Sequence, residues 1–275
     1  MVFPRILLAL AALTTALALS SCSPAEAPLA AAQPQKSPKR ASNADLPTER
    51  EGNIALARFA TKHRPVYCGG RKKPWVALTF DDGPGPYTRR MLKLLRHTRV
   101  PASFFVVGSN VATFKPSRMA ERAYGSPIGS HSWSHPLLTS MKYGAQRDQL
   151  KDANHAIRHA TGDRVRFFRP PYGAHNPDTR KIARNLDMPI ILWNVDSQDA
   201  LGANSKEISK LVKRGLKPGS IILLHENHGQ TMRAMKYTII PALRKSGMTP
   251  VTVPQMLAGN PPTAKQLSRG RKGCR

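Results

Sequence analysis

Acidic residues are scarce in this chain. Its 275 residues include 16 Asp and Glu against 43 Lys and Arg, a formal net charge of +27. A surface of that kind attracts polyanions. Aromatic residues are also few, at 6%, and they form no interleaved platform of the kind on which bases stack, which argues against nucleic acid. Cysteine is limited to Cys22, Cys68 and Cys274, and their spacing does not resemble a Cys-based metal site. No apolar run reaches the length of a spanning helix. No internal repeat is visible.

The N-terminus holds a charged start (Arg5), an apolar core over residues 6–19, and then Leu19-Ser20-Ser21-Cys22. This reads as a secretory signal peptide over 1–21. The Leu-Ser-Ser-Cys ending also resembles the bacterial lipobox, in which Cys22 would be lipidated and become the new N-terminus. The alternatives are an ordinary cleaved signal and an uncleaved anchor. Lipidation places the protein on the outer face of the plasma membrane; simple cleavage makes it secreted. Disulfides persist in either place, and a Cys68–Cys274 bridge would tie the two ends of the domain together. The polyanions met there are cell-wall polymers and lipid headgroups. A basic surface that is merely solvated is the plainer alternative.

Residues 22–70 are rich in Ala, Pro, Ser and Lys and read as a disordered tether, with room for a short helix over 56–60. Residues 71–258 read as the folded domain. Residues 259–275 read as a basic tail carrying Lys265, Arg269, Arg271, Lys272 and Arg275.

Within the domain, strand and helix signals alternate. Apolar runs predict strands at 75–80, 102–107, 128–131, 165–168, 189–194, 220–225 and 251–253. Helices are expected over 88–95, 115–124 and 145–159, from Asn176, over 204–215 behind a capping box, and over 231–246 with a break at Pro241. Such alternation means a mostly parallel sheet. The domain is shorter than the roughly 250 residues of a full eight-fold barrel, and no Gly-rich phosphate loop follows the first strand. The fold class is therefore α/β, a distorted, incomplete (β/α) barrel with about seven strands.

Polar clusters fall at the strand ends. The first strand stops at Asp81-Asp82-Gly83-Pro84. Adjacent buried carboxylates repel and need a cation. His131-Ser132-Trp133-Ser134-His135-Pro136 places imidazoles four apart, but Pro136 moves His135 away from α geometry and no Glu follows His131, so this is a loop pair rather than a zinc-protease helix. Arg169-Pro170-Pro171-Tyr172-Gly173 is a rigid turn presenting one Arg. Then come Trp193 with Asp196-Ser197-Gln198-Asp199, and Leu223-Leu224-His225.

Together these clusters resemble, in order, the five motifs of the polysaccharide deacetylases with a NodB-homology domain (carbohydrate esterase family 4). The resemblance covers about 71–258. It implies that Asp82, His131 and His135 bind a divalent metal, zinc most often, with cobalt or another divalent ion as alternatives. It implies that Asp81 is the general base, held by Arg169, and that His225 is the general acid, charged by Asp199 or, failing that, Asp196. The Tyr172 backbone N–H would face the oxyanion, and Trp193 and Leu223 would line a pocket for the acetyl methyl group. One departure stands out: Ala200 occupies the place of a Trp in the family. The other His residues (His155, His159, His175 and His228) have no role in the family and read as surface, and Glu226 reads as polar rim.

The resulting expectation is a metal-dependent hydrolase removing N-acetyl groups from an amino-sugar polymer at the cell surface. Peptidoglycan comes first and chitin oligomers second. The alternatives are an acetyl-xylan esterase of the same family and a non-catalytic, basic wall-binding protein.

Overall fold

The computed structural model describes residues 45–113 and 125–274. The expected signal peptide, Cys22 with its lipid, and the tether up to residue 44 lie outside these residues. So does the helix expected over 115–124.

The strands are β1 (Trp75–Gly83), β2 (Ser103–Val106), β3 (Ile128–Ser130), β4 (Val195–Asp196), β5 (Ile221–His225) and β6 (Thr249–Val251). The helices are α1 (Glu49–Ala60), α2 (Thr88–Thr98), α3 (Gly108–Thr113), α4 (Tyr143–Thr161), α5 (Pro177–Asn185), α6 (Ser205–Gly215), α7 (Gly229–Ala234), α8 (Ile240–Lys245), α9 (Val253–Gly259) and α10 (Ala264–Ser268). Helix α7 runs into α8 through a π-helical segment, Met235–Ile239. Pro241 follows it, and a proline cannot donate to the turn before it.

The strands make one six-stranded sheet in the order β3-β2-β1-β5-β4, with β6 also on β1. Every strand pair is parallel. Strand β1 is central and almost wholly buried, which explains its continuous apolar run. Phe80 stacks on Phe104 of β2 with ring centroids 5.3 Å apart, and both are fully buried.

Two of the seven expected strands are reduced to isolated bridges, Ser130↔Phe168, Phe168↔Ile190 and Val66↔Ile191. The cause is local. Pro170 and Pro171 have no N–H with which to extend the first run. The Arg169 side chain takes the carbonyls of Ile191 and Leu192 at 3.0 and 3.3 Å, acceptors that a neighbouring strand would otherwise use. The barrel wall is one bridge deep there, and so it is distorted and incomplete.

The domain boundaries differ from those expected at both ends. Helix α1 lies inside the stretch read as tether, and it is longer than the short helix expected there. Thr48 and Glu51 form a capping box at its start, and Ala55, Leu56 and Phe59 are buried with Met256 and Leu257 of α9. Proline density concealed this, because the prolines stop at Pro47 and Pro65 on either side of an uninterrupted amphipathic stretch. The basic tail is likewise folded. It forms α10 and a 3-10 turn over Gly270–Cys274, and Cys274 is disulfide-bonded to Cys68, with Cα atoms 5.9 Å apart.

Candidate active site

Register places the chemistry. Asp81 lies opposite Phe105 of β2 and His225 of β5, so base and acid candidates share one level of the sheet. The β1–β2 register then shifts between Asp81 and Gly83, and Asp82 takes a left-handed φ of 68°. Successive strand residues ordinarily point to opposite faces; this bulge turns both carboxylates toward the same loop. Asn110 of α3 holds the bend by donating its side-chain amide to the Asp82 carbonyl at 2.9 Å.

His131 and His135 sit on the loop after β3. Ser132 and His135 have positive φ values of 68° and 58°. Ser132 Oγ accepts the His135 N–H at 3.1 Å, and Gln149 Oε1 accepts the Trp133 and Ser134 N–H groups. The His135 ring meets Tyr172 edge-on at 4.8 Å.

The Nε2 atoms of His131 and His135 lie 3.5 and 3.4 Å from Asp82 Oδ1, and the ligand atoms of the three residues lie within 4.8 Å of one another. His131 Nδ1 lies 2.7 Å from the Arg169 carbonyl, an acceptor only, so this nitrogen carries the proton. Burial, partly opposed by Asp82, holds this imidazole down at about 3, so the ring is neutral and its Nε2 bears a lone pair. Two acceptors, Nε2 and a carboxylate oxygen, therefore face each other. Asp82 Oδ1 is buried and accepts no hydrogen bond among the described residues. A cation between them resolves both facts, and two imidazoles plus one carboxylate suit zinc-like ions. The residues fit a divalent metal.

Arg169 is fully buried and organises the other carboxylate. Its Nη1 donates to Asp81 Oδ1 at 2.6 Å and to Thr79 Oγ1 at 2.9 Å, and its guanidinium lies 3.9 Å from the Phe105 ring centroid. Burial pushes the Asp81 carboxyl up from its ordinary range, while Arg169 pulls against that.

Asp199, not Asp196, faces His225. Asp199 Oδ1 lies 2.7 Å from His225 Nδ1. Asp196 instead accepts from Trp193 Nε1 at 3.1 Å and from the Gln198 N–H at 2.8 Å. Burial pulls the His225 imidazole down, but the hydrogen bond and charge of Asp199, aided by Asp81 and Asp82, more than offset it and hold the group up at about 9. Burial likewise pushes Asp199 up, yet His225 and Thr231 hold it at about 2.

The remaining expected residues are also near. Tyr172 lies on a 3-10 turn with φ of 60° and its side chain is exposed. Leu223 is buried, and Trp193 is half-buried, 5.5 Å from the Arg169 guanidinium. His155 and His159 are exposed, as expected, and His175 is half-buried. His228 is half-buried, its ring 5.9 Å from that of His225.

Some residues were not legible. Thr231 of α7 donates to Asp199 Oδ2 at 2.6 Å, and Ser197 Oγ donates to Oδ1 at 2.8 Å. Thr231 gives no signal in the sequence beyond following His225 by six residues. Glu226 is fully buried rather than polar rim. A Cβ at Gly83 would overlap its carboxylate, so the glycine of the first cluster makes room for this acid.

An α/β barrel with acid, base and a metal-fitted Asp-His-His set at one end defines a metal-assisted hydrolase class. Comparison with known proteins agrees. Residues 69–191 match the polysaccharide deacetylase family model. A peptidoglycan-N-acetylglucosamine deacetylase from Bacillus cereus is 33% identical over 77% of this chain and 78% of its own length. The chain belongs to the polysaccharide deacetylase family. A second relative, the peptidoglycan-N-acetylglucosamine deacetylase PgdA of Listeria monocytogenes, is 35% identical over 66% of this chain, and the match spans only 38% of that protein. Among solved structures, a wild-type pseudoenzyme of carbohydrate esterase family 4 from Bacillus anthracis matches with a TM-score of 0.67 and 30% identity, over 70% of this chain and 68% of that one.

Proposed function

We propose that this protein removes N-acetyl groups from an amino-sugar polymer outside the cell, with peptidoglycan as the first candidate and chitin oligomers as the second. The observation that carries the reading is the acceptor-to-acceptor contact of Asp82 with His131, set between the Asp81–Arg169 pair and the His225–Asp199 pair. Fold alone would not suffice, since a pseudoenzyme shares it. A purely wall-binding protein has no use for the complete set.

Asp82, His131 and His135 would hold the ion, with zinc the first candidate. When bound, a divalent ion polarises the acetyl carbonyl and lowers the pKa of water. Asp81 takes the proton of the attacking water; burial raises its basicity and Arg169 fixes its direction. The backbone N–H of Tyr172 would meet the developing oxyanion. His225, protonated at neutral pH by virtue of Asp199, gives its proton to the departing sugar amine. Trp193 and Leu223 would bound the space for the acetyl methyl group.

Export through the 1–21 signal and lipidation at Cys22 complete the proposal. The relatives' peptidoglycan substrates and the basic composition support a cell-surface address, with wall polymers and lipid headgroups as partners. Among the described residues no helix is long and apolar enough to cross a membrane.

The test is acetate release from N-acetylated and O-acetylated glycans, with and without a chelator. Chelator-sensitive release from N-acetylated glycan is expected. Chelator-sensitive release from O-acetylated xylan alone would move the assignment to the esterase. No release from any of them would overturn the enzyme reading.

A further inference from the structure

Charge is not spread evenly over this fold. Helix α2 and the continuous helix from α7 to α8 contain no Asp or Glu. Helix α6 contains one, Glu207, whose carboxylate is occupied in the capping box with Asn204. The acids lie elsewhere. Glu49 and Glu51 are on α1, Asp148 and Asp152 on α4, and Asp178 on α5. The exposed ion pairs Arg147–Asp148 and Arg164–Asp187 involve α4 and the loops after α4 and α5.

The three acid-poor elements are neighbours. Helix α6 packs against α7 and the π segment, and Tyr87, just before α2, packs against Gly229 at the start of α7. Their inner faces share one core through Met91 and Leu95, Met235 and Ile239, and Ile208 and Val212. The strands they follow, β1, β5 and β4, are consecutive in the sheet, so their outer faces stand side by side. Arg89, Lys93, Lys210, Lys213, Arg233 and Lys236 are all exposed there.

This face also begins at the site. Helix α2 follows Asp82, α6 follows Asp199, and α7 follows His225, each after a short loop. A glycan bound at these residues would thus have the basic face beside it. A broad field of one sign suits a long flexible polyanion better than a small ligand. The charge of a phosphodiester chain does not depend on pH across the physiological range, and its neutralisation by Lys and Arg releases counterions.

We propose that the outer face of α2, α6 and the α7–α8 helix is an exosite for a linear phosphodiester polymer, selecting glycan that carries or lies beside such a polymer. This rests on the deacetylase reading for its purpose but not for its measurement.

The probe is synthetic poly(glycerol phosphate), titrated against the full chain at rising salt. Affinity should fall linearly on a log–log plot against salt. Lys210→Glu combined with Lys213→Glu and Arg233→Glu should weaken binding by about tenfold or more at low salt, with melting temperature unchanged. The control pair Lys151→Glu and Arg158→Glu, on α4, should weaken it by less than about twofold. Equal losses in both variants would overturn the exosite. So would tighter binding to single-stranded DNA of equal charge, or binding to phosphatidylglycerol vesicles without binding to the polymer. Acetate release from an uncharged chitin oligomer should be the same in both variants, so failure of the exosite and failure of the deacetylase reading remain distinguishable.

Discussion

His225 and Asp199 are joined twice. Asp199 Oδ1 lies 2.7 Å from the His225 imidazole Nδ1, and Oδ2 accepts the His225 backbone N–H, also at 2.7 Å. The carboxylate thereby sets both the charge of the ring and the position of the strand end that bears it. The two bonds arise because the loop after β4 folds Asp199 back over the end of β5 on a 3-10 turn, Asp199–Leu201.

This pairing makes stability depend on pH in a defined sense. The folded imidazole is held at about 9, above the ordinary value of about 6.5 expected when unfolded. Its contribution is fully present below pH 6.5 and is lost as pH rises through 9. Thermal melts of metal-free protein from pH 6 to 10 should show a falling midpoint in that window. In Asp199→Asn the fall should largely disappear, and the basic limb of acetate release should move to lower pH. An unchanged slope in the variant would show that another group titrates there.

The adjacent carboxylates should separate cleanly by function. Asp81→Asn should lower kcat by about a hundredfold or more, yet bind one divalent ion as the parent does. His131→Ala should lose the ion, as read by metal analysis after dialysis. Asp81→Asn with near-normal turnover would remove Asp81 from the role of base.

Thr231 acts on the reaction through Asp199. Thr231→Val leaves a buried carboxylate oxygen short of a donor, a loss of about 1–3 kcal/mol in stability. By removing a donor that draws charge from Asp199, it should also raise the basic pKa of the kcat profile, whereas Thr231→Ser should restore both. A stability loss with an unmoved pH profile would make Thr231 merely structural.

The disulfide should hold the C-terminal segment rather than the site. Cys68 and Cys274 are 206 residues apart. Cys274→Ser should cost about 2–4 kcal/mol, the typical loss for a native bridge and below the roughly 5 kcal/mol that loop closure alone would give, measured by denaturant unfolding. Acetate release at 25 °C should stay within about twofold, because α10 and the Gly270–Cys274 turn place no side chain in the site.

The sequence by itself determined which residues are candidates for the chemistry. Asp81-Asp82, His131, His135, Arg169 and His225 stand at strand ends or in short turns, where spacing, proline and the apolar runs before them mark position along the chain. It determined the alternation of strand and helix as well, because period and punctuation are local properties. Tertiary structure decided what depends on register and on contacts far apart in the chain. The bulge at Asp82 turns two neighbouring carboxylates to one side, and no local pattern announces it. Asp199 rather than Asp196 meets His225 because of how one loop folds back on β5. The Arg169 side chain takes two carbonyls of the strand predicted over 189–194, and Pro170 and Pro171 stop the one predicted over 165–168, so both became bridges. Helix α1 belongs to the domain because α9 buries its apolar face, and the three basic helices form one face only because the sheet order sets them side by side.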